Sequence, residues 1–228
     1  MNRREVLRAY DEQVRLRPEV EGPWVQVERS EGIVRVVAPD HGWLGVVWSD
    51  LDEATADEVI GAQVDRFAEV PGRWEWKHYS HDRPADLADR LRGAGLRPEP
   101  SEAFMVAEVA DLDLDVPPAA GVRLVAVEDR RGIDALVTVH AEVFGGDHAA
   151  IGAALAIALE QRPRAAGAVI AVAGRTPVGA GRIALPGGVE FASLWGGGVV
   201  PAWRGRGVFR ALVAHRAAIA AAAGFRYL

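Results

Sequence analysis

The 228-residue sequence predicts an α+β (mixed α/β) fold in two domains, each a mostly antiparallel central sheet flanked by helices. Three observations carry this prediction. Short apolar runs separated by turn residues recur, as in antiparallel meanders. Stretches with apolar residues at helical spacing lie between groups of those runs. Finally, "DLDLDVPPAAG", residues 111 to 121, combines two prolines with small and acidic residues, a composition suited to a linker. The expected division is therefore 1–110, a linker at 111–121, and 122–228.

The second domain is the more legible. "VRLVAV" predicts a short strand, and "EDRRGIDALVTVHAEVFGG" a helix with Ile133, Leu136, Val137, His140, Val143 and Phe144 at helical spacing, ended by two glycines. "HAAIGAALAIALEQRP" predicts a second helix closed by Pro163. "AGAVIAVAG" and "VGAGRIAL", joined through "RTP", and then "VEFASLWGGGVV" predict a three-stranded meander. A helix after "RGRG" and a strand at "FRYL" complete the order.

In the first domain a helix is expected over about residues 2 to 17, then strands at "WVQVER", "IVRVVA" and "WLGVVWS". A helix over "ATADEVIGAQVDRFAEV", the strand "RWEWKHYS", the helix "PADLADRLRGAG" and the strand "AFMVAEV" follow. This order echoes that of the second domain.

Composition narrows the function classes. Hydrophobic residues make up 50% of the chain and charged residues 25%, the balance of a soluble globular protein. A formal charge of -6 argues against nucleic acid as partner. All basic residues except Lys77 are arginine, and the absence of cysteine removes thiolate chemistry and disulfides. The charged N-terminus has no apolar signal core, and "AAIAAAAG" is too short to span a bilayer. A cytoplasmic protein with no membrane partner is expected. "HYSHD" offers His78, His81 and Asp82, but positions three apart on a strand face opposite ways, so no metal site is expected.

The most informative stretch is "VVPAWRGRGVFRALVAHR", residues 199 to 216. An apolar strand ends at a proline, and a helix begins after "RGRG" without a Ser, Thr, Asp or Asn cap. Glycines admit positive φ and let backbone amides converge on an anion, and the first-turn amides of a helix have no internal partners. Phosphate suits such a corner, with Arg204 and Arg206 as added donors. The Walker loop fails for want of GxxxxGK, and the dinucleotide pattern GxGxxG, started at Gly205, meets Arg210 where its third glycine belongs.

The stretch resembles the core motif of the Gcn5-related N-acetyltransferases: Gln or Arg, two residues, Gly, one residue, then Gly or Ala. Arg204, Gly207 and the preceding "VVP" match, while Phe209 stands where Gly or Ala is usual. The element order of residues 121 to 228 resembles the family fold as well. The resemblance implies that acetyl-CoA is bound by Gly198, Val199, Val200, Arg204, Gly205, Arg206, Gly207, Val208 and Phe209. The pantetheine arm would lie beside "LWGGGVV", whose glycines are costly in a strand unless a backbone approaches or a bulge opens the sheet.

The implied activity is acetyl transfer to an amine of a small molecule or protein. The alternative is a non-catalytic acyl-CoA-binding or scaffold protein, and a homodimer is compatible with the resemblance. Transfer needs a neutral amine, so a carboxylate base can assist. Glu190 is the residue the resemblance suggests. His140, Asp147 and Trp195 are the expected acceptor-side residues, with burial for His140 and helix capping for Asp147 the plainer roles. Trp203 either walls the pocket or packs. The resemblance also implies that the first domain is a degenerate copy without a glycine loop, since "SDLDEAT" precedes its helix. It implies too that the second domain is cut short at Leu228, before the family's last helix and strands.

Overall fold

The computed structural model describes residues 1–18, 25–30, 32–38, 43–161 and 164–228. The chain divides into two compact units, Met1–Phe104 and Met105–Leu228.

In the first unit, α1 (Arg3–Tyr10) is capped by Asn2, whose side-chain oxygen accepts from the Arg4 N–H at 3.1 Å. It runs on into a π-type turn, Asp11–Arg15. Strands β1 (Gln26–Ser30), β2 (Ile33–Val37) and β3 (Gly45–Ser49) form an antiparallel meander. Helix α2 (Ala56–Ala68) then crosses to β4 (Glu75–Trp76), which pairs parallel to β3, and α3 (Leu87–Gly93) follows. Apolar residues from both layers, among them Ile33, Val46, Ile60, Phe67 and Leu87, form one core. Arg15 ties the π-type turn to the sheet: it grips both oxygens of Asp82 at 2.7 and 2.8 Å and donates to the Val47 carbonyl at 3.1 Å.

The second unit orders β5 (Val122–Ala126), β6 (Ala166–Ala173), β7 (Thr176–Ala184) and β8 (Ser193–Val199) as neighbours, all antiparallel. Between β5 and β6 lie α4 (Arg130–Phe144) and α5 (Ala149–Glu160). Asp129 caps α4 through the Gly132 N–H at 2.8 Å, and Gly145 ends it at φ +71. A 3₁₀ turn, Pro201–Trp203, leads from β8 to α6 (Val208–Ala222). The α4, α5 and α6 faces close on the sheet through Leu136, Leu155, Val169, Val178 and Leu212.

Two sequence expectations change. The strand expected over "RWEWKHYS" contracts to Glu75–Trp76. The segment "AFMVAEV" does not close the first sheet. Its Ala107 exchanges two hydrogen bonds with Leu228, both 2.9 Å, and the Val109 N–H donates to the Arg226 carbonyl at 2.8 Å. Val109 is buried with Ile183, Ala192 and Ala220 of the second unit, so the division falls at residue 104/105 and not at 110/111. Tyr227 also bridges in parallel to Phe191, just ahead of β8.

Candidate anion-binding cleft at the head of helix α6

The corner between β8 and α6 follows from a few residues. Val199 and Val200 are buried, so the strand is pinned up to Pro201, whose ring then starts the 3₁₀ turn. The Trp203 N–H donates to the Val200 carbonyl at 2.9 Å, and Arg204 Nε donates back to the Val199 carbonyl at 3.0 Å. Gly205 and Gly207 follow with φ +73 and +82, and a Cβ at either would meet nothing within 4 Å. Glycine is therefore there for the backbone angle and not for want of space. Gly207 is the N-cap residue of α6, with no side chain bonded to the helix amides. The first intrahelical bond to it comes from the Ala211 N–H at 3.1 Å, so the Val208, Phe209 and Arg210 amides have no partner within the helix.

The residues that carry these amides line a cleft of about 630 Å³. Gly198, Val199, Arg204, Gly205, Gly207, Val208 and Phe209 line it, joined by Val143, Gly197, Trp203 and Arg210. Of the sequence-predicted set, Val200 is instead part of the core, its N–H donating to the Val178 carbonyl at 3.0 Å. Arg206 lies outside the lining, its guanidinium 4.9 Å above the Trp203 ring. Trp203 thus both packs on the core and walls the cleft. Among the described residues two arginines and no carboxylate line the cleft, which favours an anion.

The glycines of β8 have separate reasons. Gly196 adopts φ +55 where the β7–β8 register slips, and its Cβ would stand 2.7 Å from His140 Cε1. A Cβ on Gly198 would stand 2.7 Å from Val143 Cγ1, and one on Gly197 would stand 3.1 Å from both Phe209 Cε2 and Arg216 Nη2. Side chains from α4 and α6 thus press on the two faces of β8 at consecutive residues, and the strand bulges there.

The acceptor-side and catalytic expectations are placed differently. His140, 1% exposed, does not reach the cleft. Its Nε2–H donates to the Gly196 carbonyl at 2.8 Å, which fixes the tautomer and leaves Nδ1 buried without a hydrogen-bond partner among the described residues. Burial, and then the Arg182 charge, hold its pKa below the ordinary value. Asp147 accepts from the Ala149 N–H at 2.8 Å, at the start of α5, which is a capping role. Trp195 is 55% exposed on β8 and outside the cleft lining. Glu190 precedes β8 at the end away from the cleft, its carboxylate 3.4 Å from Arg226 Nη1 and its carbonyl accepting from the Arg226 and Tyr227 amides. The structure does not bring it to the cleft.

In the first unit, His81 Nε2 stands 2.8 Å from Asp11, and Asp82 is held by Arg15. Among the described residues no three His, Asp or Glu side chains gather as for a metal ion, and no helix is long and apolar enough to cross a membrane. A residue missed by the sequence reading is Arg216, 1% exposed beneath the bulge. Its signal was present: Val208, Leu212, Arg216 and Ala220 recur at a spacing of four, so an arginine occupies the buried stripe of α6.

No family model matches the sequence, and comparison with curated proteins finds no match. Solved structures do match. A protein from Staphylococcus epidermidis described as functionally unknown is 14% identical with a TM-score of 0.55, over 88% of this chain and 80% of its own. A GCN5-related N-acetyltransferase from Kribbella flavida is 16% identical with a TM-score of 0.71, over 89% of this chain and 77% of its own. Over 89% of its length the chain has the fold of that acetyltransferase.

Proposed function

We propose that the protein is a Gcn5-related N-acetyltransferase that moves the acetyl group of acetyl-CoA to an amine of a small molecule or protein. One observation carries the reading: the orphan amides of α6, turned outward by two positive-φ glycines, open on a cleft that continues along β8. The cofactor's diphosphate fits those amides and Arg204, with its arm running past Val199 and Gly198 towards Gly197. In the reaction the amine nitrogen attacks the thioester carbonyl carbon. The C–N bond forms, the C–S bond breaks, the thiolate takes up a proton and the amine gives one up. Orientation in the cleft supplies much of the acceleration. Glu190 has no part as base in this reading, because it lies beside Arg226 ahead of β8.

The second reading, acyl-CoA binding without transfer, is favoured by the absence of any carboxylate among the cleft's lining residues. The first unit fits a degenerate copy of the second. Each has a three-stranded meander, a helix, and then a parallel pairing, β4 on β3 in one and Tyr227 on Phe191 in the other. Ahead of α2, however, stands "SDLDEAT", without glycine.

Thermal melting with acetyl-CoA tests the binding. The wild type is expected to melt higher with the ligand and Gly207→Glu not to, since a carboxylate would then occupy the diphosphate's place. No shift in the wild type overturns both readings. Thiol release across a panel of amines separates them: release with an amine supports transfer, and release with none leaves the binder.

A further inference from the structure

Arg216 is a buried cation without an anion among the described residues. It is 1% exposed, no ion pair with a described carboxylate accompanies it, and burial alone lowers its pKa to about 10. Nε donates to the Leu212 carbonyl at 2.9 Å and Nη1 to the Arg182 carbonyl at 3.0 Å. A guanidinium carries about five N–H donors, and here Nη2 makes no hydrogen bond with the described residues. A lone charge held out of water is among the most expensive features a core can contain.

The sheet makes room for it on purpose. A Cβ on Gly181 would lie 2.6 Å from Arg216 Cζ, and the Cβ position of Gly197 lies 3.1 Å from both Arg216 Nη2 and Phe209 Cε2. The guanidinium and the Phe209 ring therefore both border the space over Gly197. Gly197 and Phe209 line the cleft, and Phe209 is 50% exposed with freedom to turn. Arg216 stands directly behind this wall. Phe209 is also the residue that departs from the small side chain expected at its motif position, so the departure and the buried cation occur at one place.

The inference rests on the proposed seat of a CoA thioester at the α6 amides and changes its preferred acyl group from acetyl: the thioester arm that starts at those amides and follows β8 delivers its acyl group at Gly197. We infer that this acyl group ends in a carboxylate: the Phe209 ring turns aside, and the carboxylate pairs with the Arg216 guanidinium under the β8 bulge. The co-substrate class is then a short dicarboxylic acyl-CoA, of which succinyl-CoA is the simplest probe. An Arg–carboxylate pair in this dry seat is two-pronged and discriminates strongly against an uncharged chain end.

Calorimetric titration of the intact protein with CoA, acetyl-CoA, butyryl-CoA and succinyl-CoA tests it. Butyryl-CoA matches succinyl-CoA in carbon count and lacks the charge. The wild type is expected to bind succinyl-CoA at least tenfold more tightly than butyryl-CoA or acetyl-CoA. Arg216→Met is expected to erase that ratio and leave CoA binding within about twofold, while Arg216→Lys retains part of it. Equal affinity for the three acyl forms, or a succinyl preference that survives Arg216→Met, overturns the inference. Should Arg216→Met not fold, the wild-type ratio still decides. If CoA itself does not bind, the α6 amide reading has failed, and that is a different result from CoA binding without acyl preference.

Discussion

At the scale of single residues, the contact between His140 and Gly196 sets the shape of β8. One ring nitrogen donates to the carbonyl of a residue at φ +55, and the other nitrogen has no hydrogen-bond partner among the described residues. Because burial and Arg182 hold the pKa of His140 below the ordinary ~6.5, the unfolded chain binds a proton there that the folded chain refuses. Stability is therefore complete above about pH 6.5, declines as pH falls through that value, and levels off once pH passes the folded-state pKa. His215 shifts in the same direction through burial and Arg216, so the informative quantity is a difference. His140→Gln keeps a donor for the Gly196 carbonyl without titrating, and its melting temperature should fall less steeply than the wild type's between about pH 7 and pH 5. Parallel curves would show that His140 contributes nothing to the acid limb. Gly196→Ala is the complementary test: a Cβ 2.7 Å from the imidazole on a left-handed backbone should cost about 2–4 kcal/mol in urea denaturation.

At the scale of elements, the two ends of the helices were not equally legible. Runs of apolar residues bounded by glycine or proline located the meander β6–β7–β8 and the helices α4, α5 and α6, because one-sided burial writes a period into the sequence. The brevity of β4 within the strand expected over "RWEWKHYS" and the placement of Glu190 escaped. A parallel pairing that short has no period, and a carboxylate's position relative to a cleft depends on where the bulge and the C-terminal pairing put the strand, which local pattern does not encode. The glycine corner was legible because its φ angles demand glycine; the glycines of β8 pointed correctly to a bulge, yet the side chains that require them, His140, Val143 and Arg216, come from two distant helices. Arg15 was likewise hidden among the many charges of the first helix. It is 3% exposed, and its fork on Asp82 holds the π-type turn against the β4–α3 connection. Arg15→Met leaves that carboxylate buried and unpaired, and should destabilise the protein by about 3–5 kcal/mol in chemical denaturation, with Arg15→Met/Asp82→Leu costing clearly less than Arg15→Met alone. A loss below about 1 kcal/mol would assign the pair to the surface class.

At the scale of the whole chain, the prolines of "DLDLDVPPAAG" are an honest sign of irregular backbone but a misleading sign of where one unit ends. Composition reports where the chain does not pair with itself locally, whereas a unit is bounded by where buried contacts stop. Residues 105–110 lie ahead of the prolines, yet Ala107 and Val109 hydrogen-bond to Arg226 and Leu228, and Val109 is 5% exposed in a cluster with Ile183, Ala192 and Ala220. A fragment beginning at residue 105 keeps the Ala107–Leu228 and Val109–Arg226 bonds; one beginning at residue 112 leaves those backbone groups and the Ala192–Ala220 cluster without a cover. Exposing the buried Val109 site alone costs roughly 1.5–3 kcal/mol, before the three lost backbone bonds are counted. The fragment 105–228 should therefore show a cooperative thermal transition, and 112–228 should melt at least several degrees lower or fail to fold, as followed by circular dichroism. If both fragments melt together, the pairing of residues 107–109 with 226–228 is dispensable, and the unit begins where the prolines first suggested.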